Sequence, residues 1–337
     1  MKSDPTAQER KNDHIQLAFE AQTNSLDIDQ RFQYEPLFFQ SDQDLPEIEF
    51  LGKQLQTPIW VSSMTGGTEK ARKINENLAR ACSHFKMGMG LGSCRSLLDS
   101  NDRLDDFNLR HIIGNDLPFY ANLGVAQVEQ LLKLGQIDKV NQLIEKLQVD
   151  GLIIHVNPLQ EWLQPEGDKF TQSPMETIQQ FLEISKIPLI IKEVGQGMGK
   201  ESLKFLMKLP IQAIEFAAHG GTNFAKLELL RSDDVQQELF NSITKIGHSY
   251  TQMIEFVNEI QEENPDKVLC NQFIISGGVK NFLDGYYGMN KIQGNAVYGQ
   301  ASTLLKYAEN SYEALHVYIE SQIKGLKLAQ TCLIVKK

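Results

Sequence analysis

Residues 151–194 read GLIIHVNPLQEWLQPEGDKFTQSPMETIQQFLEISKIPLIIKEV. Two short apolar runs, Gly151–His155 and Pro188–Lys192, flank a segment with a strong helix start. Ser173 suits the N-cap, Pro174 the first helical position, and Glu176 the position that closes a capping box. Both runs are too apolar to be wet on one face, so they read as strands of a parallel sheet buried on both sides. Yet the first ends in His155, Asn157, Gln160 and Glu161. A simple loop would spend Gly, Ser and Asp there, whereas these side chains bind anions, orient substrates and hold metals.

The same pattern of apolar strand, polar or Gly-rich turn and helical segment recurs along the chain. Further strands are expected at Pro58–Ser62, Met87–Leu91, Pro118–Asn122, Ala213–Ala217, Gln272–Ser276 and Ala296–Tyr298, making eight in all. Helical spacing appears over Glu69–Phe85 (after Thr68 as N-cap), Leu143–Leu147, Lys200–Lys208 and Thr303–Tyr307. Eight strand–helix alternations predict an α/β fold, a (β/α)₈ TIM barrel. The connection from Phe224 to Lys267 is the longest and reads as an elaborated helical insertion between strands six and seven. Residues 1–50 are loosely patterned and are expected to form an N-terminal extension at the active-site mouth, with 51–337 as one barrel domain.

The net charge of −10 argues against a general nucleic-acid binder, which would show a basic face. Cys82, Cys94, Cys270 and Cys332 have neither metal spacing nor a C-x-x-C pair and read as reduced thiols of a cytoplasmic protein. No apolar core marks a signal peptide at the N-terminus, and no run approaches the roughly 20 residues that span a bilayer.

In such barrels chemistry lives where strands end. The expected endings are Ser62-Ser63-Met64-Thr65-Gly66-Gly67, Gly92-Ser93-Cys94-Arg95, Asn122-Leu123-Gly124, His155 to Glu161, Lys192 to Gly195, His219 to Asn223, Ser276-Gly277-Gly278 and Gly299-Gln300-Ala301. Any one Gly pair is best read as a tight turn, but Gly277-Gly278 and Gly299 sit where barrels commonly bind phosphate through backbone N–H groups. MGMGLGS and GQGMGK lack the dinucleotide spacing G-x-G-x-x-G. Lys192 is costly in its apolar run unless its ammonium has a partner. It fits a Schiff-base nucleophile, an ion pair with Glu193 or Glu215, or, the reading we favour, a cation serving an electron-rich cofactor. Glu193 should point to the opposite face. Ser93 with Arg95 suits phosphate oxygens. Arg10-Lys11 with Asp13-His14 is a compact basic tip that would ordinarily be a solvated surface. Glu161 has no neighbour at metal-ligand spacing, but one carboxylate with substrate phosphates is a common way to hold Mg²⁺.

The blocks RKNDH (10–14), SSMTGGT (62–68), MGLGSCRSLL (89–98), NLG (122–124), HVNPLQEWLQPEGDKF (155–170), KEVGQGMG (192–199), GGTNF (220–224) and SGGVKN (276–281) together resemble the type 2 isopentenyl-diphosphate isomerases, FMN-dependent (β/α)₈ barrels. The resemblance implies FMN held by Ser62, Ser63, Met64, Thr65, Ser93, Asn122, Lys192, Thr222, Gly277, Gly278, Gly299, Ala301 and Ser302. It implies an isoprenoid diphosphate met by Arg10, Lys11, Ser93, Arg95, His155, Asn157 and Gln160, and Mg²⁺ on Glu161. Gln160, Glu161 and His155 would assist reduced FMN in a 1,3-allylic proton shift, with NADPH as reductant. It also implies a homo-oligomer, a tetramer or octamer, in isoprenoid precursor synthesis; the charge and the lack of a long apolar run leave neither nucleic acid nor membrane as an expected partner. The sequence departs from the pattern at Ala217, Ala218 and His219 before GGTNF, and at GQAS (299–302). A rival reading is a 2-hydroxy-acid oxidase: AAHGGTNF is similar to the His-Gly-Gly-Arg turn of those enzymes. Thr222 stands where their Arg should be, and HVNPLQE has no part in that chemistry.

Overall fold

The structure is a computed structural model that describes residues 6–41, 43–63 and 66–336. Eight parallel strands close a barrel: β1 (Ile59–Val61), β2 (Gly88–Gly90), β3 (Phe119–Gly124), β4 (Gly151–His155), β5 (Leu189–Lys192), β6 (Ala213–Glu215), β7 (Gln272–Ser276) and β8 (Asn295–Gln300). β8 pairs back onto β1 through Tyr298–Ile59, Gly299–Trp60 and Gln300–Val61, so the barrel leaves no open edge. Each expected strand is present, and the buried runs are those expected of a sheet covered on both faces.

Local signals explain the helices. Thr68 Oγ1 accepts the Ala71 N–H at 3.1 Å and starts helix Glu69–Phe85, which buries Ala71, Ile74, Leu78 and Cys82 along one face. Ser173 and Glu176 close the expected capping box of helix Pro174–Ile184. MGMGLGS is a packing device: a Cβ at Gly88 would lie 2.3 Å from the Trp60 ring, and one at Gly90 2.5 Å from Ile153 Cδ1. Between β6 and β7 lie helices Phe224–Arg231, Asp234–Phe240 and Tyr250–Glu263, the expected insertion.

A hairpin, Ile48–Phe50 with Lys53–Leu55, straddles the 50/51 boundary drawn from the sequence. Leu51 and Gly52 both have positive φ, as a two-residue type I′ turn requires. The hairpin plugs the N-terminal end of the barrel with Phe50 and Leu55, both fully buried. Helix Ala7–Leu17 buries none of its residues, while Phe32–Tyr34 pairs antiparallel with Leu333–Val335 after the long helix Tyr312–Cys332. Among the described residues no helix is long and apolar enough to cross a membrane.

Candidate active site

The C-terminal ends of the strands enclose a cleft of two lobes. One, of about 550 Å³, is walled by Ser62, Glu215, Ala217, Thr222, Ser276, Gly277, Gly278, Gly299, Gln300, Ala301 and Ser302. The other, of about 460 Å³, is walled by Ser93, Asn122, His155 and Gln160. Ser63, Lys192, Val194 and Phe224 line both, so the lobes meet over Lys192.

Strand register builds the floor. His155 pairs with Lys192 and Lys192 with Glu215, which sets an imidazole, an ammonium and a carboxyl side by side on β4, β5 and β6. The Lys192 Nζ donates to the Glu193 carbonyl at 2.7 Å. Glu215 accepts from Ser276 Oγ at 3.1 Å, and burial pushes its carboxyl above the usual range against the pull of Lys192. His155 Nδ1 meets Asn122 Oδ1 at 2.6 Å. Burial and the charge of Lys192 push the imidazole down to about 3, so the ring is neutral, with Nδ1 the donor and Nε2 left as an acceptor. Glu193 does face away: its Oε2 accepts the N–H groups of Gly195, Gln196 and Gly197 at 2.7, 2.6 and 2.9 Å. GQGMGK therefore wraps its own carboxylate and is no phosphate loop.

The glycine turns of the first lobe leave backbone bare. Gly277 and Gly278 have φ of +83° and +80°, and a Cβ on Gly277 would fall 2.1 Å from the Ala218 carbonyl oxygen. A Cβ on Gly299 would meet Ser62 Oγ at 2.5 Å. Helix Ser302–Asn310 starts there with no side-chain cap at Ala301, so its first N–H groups are unclaimed by any capping side chain. Ser62 Oγ and Ser63 Oγ are buried without a hydrogen-bond partner among the described residues, as is Glu215 Oε2.

After β4, Pro158 at the first position opens helix Pro158–Leu163. Asn157 Nδ2 donates to Glu161 Oε1 at 2.9 Å and Gln160 Oε1 at 3.2 Å, and Asn157 Oδ1 is buried without a partner. The other Glu161 oxygen accepts the Asp168 N–H at 2.7 Å. Among the described residues no three His, Cys, Asp or Glu are grouped to hold a metal.

The structure thus brings together Ser62, Ser63, Ser93, Asn122, His155, Gln160, Lys192, Thr222, Gly277, Gly278, Gly299, Ala301 and Ser302 around one cleft. Asn157 and Glu161 stand just behind Gln160, and Arg95 stands outside the lobes, paired with Asp168. Arg10 and Lys11 ride on the exposed helix Ala7–Leu17 and line neither lobe. Met64 and Thr65 lie outside the described residues. Phe224, Glu228 and Asp168 were not singled out from sequence. Glu228, buried, accepts from Gln160 Nε2 at 3.3 Å, and only its helical neighbourhood after GGTNF hints at that. His219 contacts the Thr244 carbonyl oxygen at 3.3 Å and lines neither lobe.

No family model matches the chain. It is 34% identical over 335 residues to an isopentenyl-diphosphate delta-isomerase of Rickettsia peacockii, covering 96% of this chain and 93% of that one. The enzyme of that name from Rickettsia prowazekii is 33% identical over the same shares. Among solved structures, a flavocytochrome b2 variant with sulfite bound superposes with TM-score 0.58 at 15% identity, covering 98% of this chain and 76% of that one. A lactate oxidase of Pediococcus acidilactici, described as putative, superposes with TM-score 0.55 at 12% identity, over 99% and 88%. The structural likeness carries the barrel alone, and the sequence relatives carry the family: this chain belongs to the isopentenyl-diphosphate delta-isomerases.

Proposed function

We propose that the enzyme interconverts isopentenyl and dimethylallyl diphosphate by a 1,3-allylic proton shift, with FMN in the glycine-walled lobe and Mg²⁺ beside Glu161. The observation that carries this is the pairing of a glycine-walled lobe with a polar one across buried Lys192. The residues fit a flavin mononucleotide: bare backbone at Gly277-Gly278 and the uncapped start of helix Ser302–Asn310 suit its phosphate. The unpartnered hydroxyls of Ser62 and Ser63 suit its polar edge, with Thr222 on the wall of the same lobe and Asn122 on that of the other. For a hard cation the residues offer the Glu161 carboxylate, fixed by Asn157 Nδ2 and the Asp168 N–H, in keeping with a metal held by one carboxylate and completed by substrate phosphates.

Bound and reduced by NADPH, the flavin supplies an acid and a base matched to an unactivated alkene, which ordinary side chains are not. The protein's part is electrostatic and geometric. Lys192 would offer a fixed positive charge to an electron-rich ring. Ser93 and Arg95 would take diphosphate oxygens and Glu161 would hold a cation that neutralises their charge, so binding energy far from the alkene would align it. Neutral His155 and Gln160 hydrogen-bond the substrate without adding a charge to the lobe. Arg10 and Lys11, which line neither lobe, would add positive charge for the diphosphate. A homo-oligomer in the cytoplasm completes this reading. The oxidase alternative is not favoured: Thr222 replaces the carboxylate-gripping Arg and His219 is outside the cleft.

Anaerobic incubation of the purified protein with isopentenyl diphosphate, FMN, Mg²⁺ and NADPH should yield dimethylallyl diphosphate, and the protein should show flavin bands. A colourless protein, or one that oxidises lactate and does not isomerise, overturns the reading. Glu161→Gln should lower kcat/KM roughly a hundredfold, about 2.7 kcal/mol, by weakening Mg²⁺-dependent binding while FMN is retained. Loss of FMN with unchanged Mg²⁺ dependence would refute the role given to Glu161.

A further inference from the structure

We infer that Asp168 is a positioning residue that sets the protein's grip on the diphosphate by holding Arg95 in place; this rests on the isomerase reading above. Arg95 is exposed, with a long side chain that loses rotamer freedom on binding an anion. Asp168 removes that freedom beforehand. Its Oδ2 accepts from Arg95 Nη1 at 2.7 Å and its Oδ1 from Nη2 at 3.4 Å. A guanidinium has five N–H donors in a planar fork, and this contact uses two, so three remain for phosphate oxygens.

Asp168 can do this because it is itself fixed. Gln127 Nε2 donates to Oδ2 at 2.6 Å and Gln130 Nε2 to Oδ1 at 3.2 Å, both from helix Val125–Lys133. Three residues on, Thr171 donates its N–H and hydroxyl to buried Glu129 of that helix, at 3.0 and 2.7 Å. The loop is therefore pinned on the helix that follows β3. The backbone of Asp168 completes the link, its N–H holding Glu161 at 2.7 Å. One residue thus orients the anion-binding cation with its side chain and the cation-binding carboxylate with its main chain. A bare carboxylate next to a diphosphate would repel it, so the geometry is sensible only with Arg95 between the two. Gln127 extends the fixture toward the lobe that His155 lines: a Cβ on Gly124 would lie 2.2 Å from Gln127 Oε1 and 3.0 Å from His155 Nε2.

The test is Asp168→Asn, which keeps the backbone bond to Glu161, examined alone and with Arg95→Ala. KM for isopentenyl diphosphate should rise about tenfold with kcat within about twofold, and binding of inorganic diphosphate with Mg²⁺, by calorimetry, should weaken in step. In the Arg95→Ala background the same change should add nothing, and Asp168→Glu should restore part of the affinity. An Asp168→Asn effect of equal size with and without Arg95, or one confined to melting temperature, overturns the inference. Because inorganic diphosphate binding needs no turnover, failure of the isomerase assay in the unaltered protein would tell against the proposed reaction and leave this test intact.

Discussion

At the scale of the residue, the floor of the cleft is a problem in charge. Lys192 is nearly buried on β5, and its register neighbours are a neutral His155 and a fully buried Glu215. Burial disfavours a second cation next to Lys192, which is why the imidazole of His155 is pushed down to about 3. The consequence for stability has a definite sign. Above the unfolded value near 6.5 both states are neutral and His155 contributes no pH dependence. As pH falls from there toward 3 the unfolded chain takes a proton that the native ring refuses, so stability is lost at up to about 1.4 kcal/mol per pH unit, less because the ring is partly wet. His155→Gln should therefore shrink the loss of stability between pH 7 and pH 5 by about 1 kcal/mol, measured by urea unfolding at both values. An unchanged pH slope would mean the ring protonates freely in the native state. Lys192 announced itself in the sequence as a charge in an apolar run. The pairing of His155 with Asn122, across |i−j| of 33, did not, because it depends on β3 and β4 being neighbours in the barrel.

At the scale of the element, the helix after β4 and the turn that follows form one folded unit. Gly167 comes so close to the helix that a Cβ there would lie 1.9 Å from the Glu161 carbonyl oxygen and 2.9 Å from that of Gln164. Both are backbone atoms and cannot swing aside. Gly167 is what lets QPEGD fold back, so that Asp168 reaches Glu161 and Arg95 together. Gly167→Ala should force the turn open at a local cost of about 1–3 kcal/mol. Hydrogen exchange over residues 158–171 should speed up and diphosphate affinity fall, while flavin absorbance is kept. Exchange unaltered in that segment would show that the turn tolerates a side chain. From the sequence the block was recognisable as a distinctive string, and its polar residues as a binding rim. The reason for its glycine was not legible, since φ there is ordinary and only the return of the chain onto its own helix creates the crowding.

At the scale of the whole molecule, the barrel keeps its chemistry at one end and a charge cluster centred on Asp150 at the other. The eight strands were legible because each is a short apolar run with a polar ending, a signal carried within a few residues. The plug beneath them was not: Ile48–Phe50 and Lys53–Leu55 are three-residue strands whose partners lie far along the chain. At that lower end Asp150, just ahead of β4, accepts from Lys53 at 2.6 Å, from Arg110 at 2.9 Å and from the Phe119 N–H at 2.8 Å. Arg110 is buried and also donates to the carbonyls of Gly114, Leu117 and Gln148. Removing the Asp150 carboxylate would leave a buried guanidinium without its counter-charge and loosen the hairpin from the strand starts. Asp150→Ala should cost about 2 kcal/mol in unfolding free energy, below the range for a broken fully buried pair because Asp150 is partly exposed and the three carbonyls still hold Arg110. The KM and kcat of the folded enzyme should stay within about twofold of the unaltered protein, since a TIM barrel's chemistry belongs to the other end of its strands. Denaturant titration alongside steady-state kinetics separates the two effects: lost turnover at full stability would mean that the plug and the cleft are coupled through the strands between them.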